Sequence, residues 1–258
     1  MYNIVLFTKT TDFYIEVIKK FFRNFIISVV VINKKSDLNT KYINYIRKKN
    51  IPILIHPFKK NKMATKKFIN DLKYYNIDYI FTVFYPQILT KDIINVSKYN
   101  SFNFHPGKLP TQRGAHILNW LIIENVKESC VTLHKLEEEI DAGKILYEEK
   151  YIIYQEDTIN DIIEKTNKKV LNIIEKLKNL LKKGDEKLYE NEGKNKYYKP
   201  RSIKDSEINL DTYSIQDIYN MNRALIYPYP GIYWYKNGLK FTNNRFVEYD
   251  KIEKMINF

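Results

Sequence analysis

Short apolar runs that alternate with helical patterns over the first hundred residues constrain this chain more than any other feature. The runs fall at residues 3–7, 25–32, 51–55, 78–83 and 101–105 and are rich in Val, Ile and Phe. They lack strict alternation, as strands buried on both faces do. Between them, apolar residues recur at helical spacing over about 12–23, 39–49, 65–75 and 91–97. Such a βαβα series predicts an α/β fold: a Rossmann-like, mostly parallel twisted sheet with helices on both faces. Ligands of such folds bind beyond the carboxyl ends of the strands. The first strand is followed by Thr8-Lys9-Thr10-Thr11-Asp12, with no G-x-G-x-x-G, which argues against a dinucleotide cofactor.

The remaining elements follow from the same signals. Residues 117–124 read as a helix, and 129–136 and 144–153 as two further strands. A long helix is expected over 159–183, with Thr158 and Asp161 forming a capping box and Gly184 as its stop. Residues 185–200 are polar and charged and read as a linker. A helix over 215–226 is capped by Ser214 with Asp217, and strands at 232–235 and 239–241 flank the hairpin signal Lys236-Asn237-Gly238. The expected organisation is a catalytic domain over 1–184, then a linker and a small C-terminal α+β subdomain over 185–258 that contains the β-hairpin.

No run of eighteen apolar residues is present, so no membrane span is expected. Met1-Tyr2-Asn3-Ile4 reads as the start of the first strand and not as a signal peptide, and the single cysteine, Cys130, fits a reducing, cytoplasmic location. The formal charge of +13 could mark a nucleic-acid partner, but only six of the 43 basic residues are arginine. Most of the charge is therefore read as a solvated lysine face that would also attract an anionic nucleotide.

The chemistry concentrates in residues 101–143. Asn103 and His105 stand two apart at the end of a predicted strand, so both side chains share one face at the ligand-binding end of the sheet. Asp141, beside a small-residue turn, is a third polar group available there. The three suit acyl transfer to an amine. The attacking amine must shed a proton, which a histidine can take. An asparagine N–H can stabilise the oxyanion, and a carboxylate can orient and stabilise the imidazolium. No Ser or Cys nucleophile and no metal is required.

The wider pattern is Asn103-x-His105-Pro106-x-x-Leu109-Pro110, then Arg113-Gly114, Val131-Thr132-x-His134 and Asp141-x-Gly143-x-Ile145-Leu146. Over about fifty residues, in order and spacing, it resembles the folate-dependent formyltransferases. That resemblance implies that Asn103, His105 and Asp141 are the catalytic trio and that N10-formyltetrahydrofolate is the formyl donor. It also implies a folate pocket beside Phe84, Tyr85, Gln87, Ile88 and Leu89, with Ile140 and Gly143 on the opposite wall. The chain departs from the family at Gly107-Lys108, where Ser-Leu is usual. Lys108 either reaches an anionic acceptor or is a solvated loop charge. His134 is expected to point into the fold, Cys130 to lie in the core and His56 to have no role, while His116 either touches the acceptor or is a plain loop histidine.

Three acceptors compete: a nucleotide-linked amino sugar, methionyl-tRNA and glycinamide ribonucleotide. The tail Tyr198-Lys199-Pro200-Arg201, with Ile218-Tyr219-Asn220-x-x-Arg223-Ala224-Leu225 and Pro228-Tyr229-Pro230-Gly231, resembles the sugar nucleotide N-formyltransferase branch. The resemblance implies an amino sugar, of the 4-amino-4,6-dideoxyhexose type, used for surface polysaccharide. Lys108, Arg113, Gly114 and Arg223 are the candidate acceptor contacts, since arginine suits phosphate oxygens; the other reading of Arg223 is a salt bridge that holds the C-terminal subdomain to the main domain. The hairpin is a candidate homodimer interface. A nucleic-acid-binding protein on an inactive enzyme fold is the alternative of another class, and the presence of all three trio residues weighs against it.

Overall fold

The computed structural model describes residues 1–33, 39–57 and 62–257. Seven strands form one sheet in the order β3-β2-β1-β4-β5-β7-β8. They are β1 (Tyr2–Phe7), β2 (Phe25–Ile32), β3 (Ile53–Ile55), β4 (Tyr79–Val83), β5 (Ser101–His105), β7 (Glu128–Lys135) and β8 (Ile145–Ile152). The first five are mutually parallel, while β7 runs antiparallel to both β5 and β8. The chain winds from β1 outward to β3, then crosses back to place β4 on the other side of β1. The strand order therefore reverses between β1 and β4, which opens a crevice at their carboxyl ends.

Helices cover both faces because both faces of the central strands are apolar. On one side, α1 (Asp12–Phe22), α2 (Thr40–Lys48) and α6 (Ile159–Leu180) bury Val17, Ile18, Phe21, Ile46, Val170, Ile173 and Leu177 against Phe81, Phe102 and Phe104. On the other, α3 (Lys62–Lys73) and α4 (Lys91–Ile94) pack Phe68, Leu72 and Ile93 on Val5, Phe7, Val29 and Ile80. A third core joins α5 (Ile117–Ile123), the first turns of α6, α7 (Ile215–Ala224) and Trp234 of the hairpin. The C-terminal segment thus packs directly on α5 and α6.

The capping box of α6 forms, with the Thr158 N–H donating to Asp161 at 2.8 Å. The helix ends at Leu180, short of the expected Gly184. Leu181 turns extended and buries its side chain, and the N–H groups of Lys182 and Gly184 donate to the buried carboxylate of Glu186. Hairpin strands β10 (Ile232–Lys236) and β11 (Leu239–Asn243) meet at an Asn237-Gly238 turn with both residues in left-handed backbone. The expected linker also carries structure. Its Tyr197–Tyr198 (β9) pairs with Arg113–Gly114 (β6), and Tyr189 bridges to Ile145.

His56 follows β3 and lies against Phe7 and Phe68, with Nδ1 3.1 Å from the Tyr85 hydroxyl. Burial pushes its imidazole from 6.5 down to about 4. The unfolded chain protonates His56 near pH 6.5 and the folded chain only near pH 4. The neutral ring's contribution is therefore complete above about pH 6.5 and falls as pH drops toward 4, by at most about 3 kcal/mol. Urea unfolding of the wild type and of His56→Gln between pH 7 and pH 4.5 should show the stability difference shrinking as pH falls.

Candidate functional site

The polar face of β5 builds the site. Phe102 and Phe104 enter the core, so Ser101, Asn103 and His105 project from the opposite face. Register then decides their neighbours. Asn103 stands across from Thr82 of β4 and His134 of β7, and His105 across from Thr132. Directly opposed residues bring side chains within contact range. Accordingly, the Asn103 Oδ1 accepts the Thr82 hydroxyl at 2.6 Å, and its Nδ2 lies 3.1 Å from His134 Nε2. His134 Nδ1 donates to the Lys135 carbonyl at 2.9 Å, and the ring's Nε2 edge stands between the Asn103 amide and Asp141. The Asn103 amide is therefore fixed in orientation by partners on both sides.

Asp141 reaches this patch from the loop between β7 and β8. Its Oδ1 lies 3.4 Å from His105 Nδ1 and 3.5 Å from His134 Nε2, and its Oδ2 accepts the Gly114 N–H at 3.1 Å. His105 Nε2 donates to the Gln112 carbonyl at 2.5 Å. His105 and His134 are 3% and 1% exposed, and Asp141 9%. Burial by itself would raise the Asp141 carboxyl, but the two imidazoles, His105 ahead of His134, outweigh it and hold the group below the usual carboxylate range. Asp141 is therefore ionised although it is buried.

The backbone is bent to bring these groups together. Phe84 just after β4, His116 just before α5 and Asp141 in the loop between β7 and β8 all adopt positive φ (47°, 54° and 53°). Left-handed backbone is unfavourable for residues other than glycine and is characteristic of functional sites. Gly143 has a different reason: a Cβ there would collide with the carbonyl of Lys135, so only glycine lets the loop close on β7. At Gly114, φ is +104° and a Cβ would meet the Tyr198 carbonyl.

The structure thus brings Asn103, His105 and Asp141 into one cluster. His134 joins it, although the sequence reads that residue as part of the interior. Three further positioning residues carry no local signal. Thr82 orients Asn103; Gln112 holds His105 and, through its side chain, the Lys108 N–H and the Ser129 hydroxyl; Asn191 donates to the Asp141 carbonyl at 2.9 Å. Thr82 and His134 could have been found from strand register. Asn191 lies in the apparent linker, fifty residues from its partner.

The other expected contacts divide. Half-buried Phe84 stacks on Phe13, and Ile88 (60% exposed) and Ile140 (36% exposed) leave apolar surface at the crevice, with Gln87 half-buried beside them. Exposed apolar side chains facing a polar patch suit a flat heterocycle such as a pterin. Leu89 is core, and the Tyr85 hydroxyl turns inward to His56. Lys108 is exposed. Arg113 is 7% exposed, and its guanidinium is engaged by the Ile140 carbonyl and by Glu139 at 2.8 Å, so it holds the Asp141 loop. Arg223 is fully buried, bonded to Asn220 and to the carbonyls of Tyr154 and Asp157. Both arginines expected at the acceptor are buried and make these hydrogen bonds inside the fold.

Comparison with known proteins agrees with this geometry. Bifunctional polymyxin resistance protein ArnA from Wigglesworthia glossinidia brevipalpis is 32% identical over 195 residues, which is 75% of this chain but 30% of that protein, so the chain spans less than a third of that relative's length. The fold superposes on a 4-N formyltransferase from Francisella tularensis with a TM-score of 0.77 at 21% identity, covering 96% of this chain and 98% of that one. It also superposes on an N-formyltransferase from Helicobacter canadensis, solved with folinic acid and dTDP-3-aminofucose, with a TM-score of 0.70 at 19% identity, covering 96% and 90%. Residues 2–176, which contain the whole Asn103–His105–Asp141 cluster, match the formyl transferase family model, and the chain belongs to that family.

Proposed function

We propose that this chain transfers a formyl group from N10-formyltetrahydrofolate to the primary amine of a nucleotide-linked amino sugar. The observation that carries this reading is the buried cluster of an oriented amide, an imidazole and an ionised carboxylate at the sheet's carboxyl rim, in a member of the formyl transferase family. The Helicobacter canadensis enzyme, whose complex holds a folate and an aminofucose nucleotide, aligns over nearly the whole chain, C-terminal segment included, and supports this acceptor class.

Bound folate would supply an activated formyl carbon, held by Phe84, Gln87, Ile88 and Ile140. Asn103 keeps its amide plane fixed between Thr82 and His134, and its second N–H is available to the carbonyl oxygen as negative charge develops there. His105 and Asp141 form a pair able to take the amine's proton. Asp141, 3.4 Å from Nδ1, stabilises the ring once it is charged.

The finer reading is a 4-amino-4,6-dideoxyhexose acceptor destined for surface polysaccharide, in a cytoplasmic homodimer that uses the hairpin, where Tyr235 and Leu239 are exposed. The test incubates the protein with N10-formyltetrahydrofolate and a panel of nucleotide-linked 3-amino and 4-amino sugars, with methionyl-tRNA alongside, and reads formylation by mass. A formylated amino sugar is expected. Formylation of methionyl-tRNA alone would overturn the acceptor, and formylation of nothing in the panel would overturn the reading.

A further inference from the structure

The loop after β4 is held at both flanks and open between them. Phe84 packs on the core that faces α1, its ring 6.3 Å from that of Phe13 and 21° from parallel. Tyr85 turns to the opposite face and packs on the core under α3, and Leu89 is buried in that same core. Between these anchors Pro86 and Ile88 are exposed and Gln87 is half-buried. Because the middle of the loop projects from the fold, its order comes from its flanks.

His56 stands at the far end of the Tyr85 anchor. Its backbone N–H donates to the Ile32 carbonyl at 2.8 Å, which fixes the residue just past the carboxyl end of β3. Its ring is near parallel to Phe68 of α3 and to Tyr85, with centres 5.3 Å and 5.8 Å away and planes 20° and 19° apart. Phe7, the last residue of β1, presents an edge-to-face contact to all three rings, at 81°, 77° and 77°. The stack therefore ties the loop after β4 to β1, β3 and α3 at once. At its polar edge, His56 Nδ1 lies 3.1 Å from the Tyr85 hydroxyl. Burial keeps the imidazole neutral at neutral pH and pushes the phenol above its ordinary 10, so two uncharged groups meet there. A polar edge inside an aromatic stack is costly unless it is hydrogen-bonded, and these two groups answer each other.

The two flanks differ in firmness. On the α1 side both rings, Phe13 and Phe84, are half-buried. On the α3 side Tyr85 leans on His56, Phe68 and Phe7, all buried. The firm anchor is the one that ends at His56. A loop ordered before its ligand arrives does not charge the ordering cost to binding.

We infer that His56 is a positioning residue for the formyl donor: through Tyr85 it holds the loop after β4 in the conformation that receives the pterin. The inference rests on the donor reading proposed above, in which Phe84, Gln87 and Ile88 hold the folate. His56 itself touches no substrate.

The test is a double-variant cycle on donor affinity, using the whole protein and folinic acid as a stable reduced-folate probe in calorimetric titration. The variants are His56→Leu, Tyr85→Phe and the two combined. His56→Leu keeps apolar volume against Phe7 and Phe68, and Tyr85→Phe removes only the hydroxyl that meets His56. Each single variant should weaken folinic acid binding about fivefold, and the double variant no more than either single one, since both remove the same contact. In the formylation assay the donor KM should rise by a similar factor while kcat and the acceptor KM stay level. If His56→Leu fails to fold, Tyr85→Phe, at a half-buried position, still reads the contact. Donor affinity per folded molecule within about twofold of wild type in Tyr85→Phe, or losses that add in the double variant, would overturn the positioning role. If the wild type still formylates amino sugars in that case, the functional reading stands. A wild type that neither binds folinic acid nor formylates any amine would overturn both.

Discussion

His105→Asn should fold and lose at least about 10² in kcat, the lower end of what a positioned proton acceptor contributes. The substitution is chosen for the geometry around the ring. His105 is 3% exposed, with the Gln112 carbonyl on one nitrogen and Asp141 on the other. An asparagine fits the space near the main chain and can keep one of those hydrogen bonds, but it cannot take a proton. Asp141 retains His134 and the Gly114 N–H, so the buried charge keeps partners and the fold should lose only about 1–3 kcal/mol. Single-turnover formylation separates the outcomes. A rate near wild type would remove His105 from the chemistry, whereas a large loss with little change in Tm and in substrate KM assigns it the proton transfer.

The sheet and its helices were legible because burial on both faces writes long apolar runs into the sequence. β2 and β5 occupy the spans those runs mark. β3 is only Ile53–Ile55, since Pro52 cannot donate to a ladder. β5 carries more information than its length suggests: Ser101, Asn103 and His105 alternate with Phe102 and Phe104, which marks one polar face inside an otherwise apolar sheet. That alternation placed two members of the cluster. Two-residue pairings such as Arg113–Gly114 with Tyr197–Tyr198 have no periodicity to read. Arginines show a related limit. Sequence gives the type and place of Arg113 and Arg223, but whether their donors reach solvent depends on carbonyls of Ile140, Tyr154 and Asp157 that only the fold brings near. The same holds for His134, whose burial is evident from its strand while its contacts with Asn103 and Asp141 depend on cross-strand register.

Asp141→Asn should lower kcat by a comparable factor, at least about 10², for a reason that is electrostatic and not steric. Asparagine tolerates the left-handed backbone at this position (φ 53°) nearly as well as aspartate, and its Oδ1 can still accept the Gly114 N–H. What disappears is the negative charge beside His105 Nδ1. Burial would raise the Asp141 carboxyl, yet the imidazoles of His105 and His134 pull it below its ordinary 3.8. A depressed carboxylate contributes stability that is present above about pH 4 and lost only as pH falls below that. Between about pH 5 and 9 the group stays charged, so no step in the wild-type rate across that window should come from Asp141 itself. A carboxylate that merely holds the loop would give a different result: a lower Tm with turnover per folded molecule unchanged, because Asn191 and Gly143 would still place the backbone. Measuring kcat and Tm for wild type and variant at several pH values therefore decides whether the charge at Asp141 stabilises the protonated imidazole during transfer or only anchors its own loop.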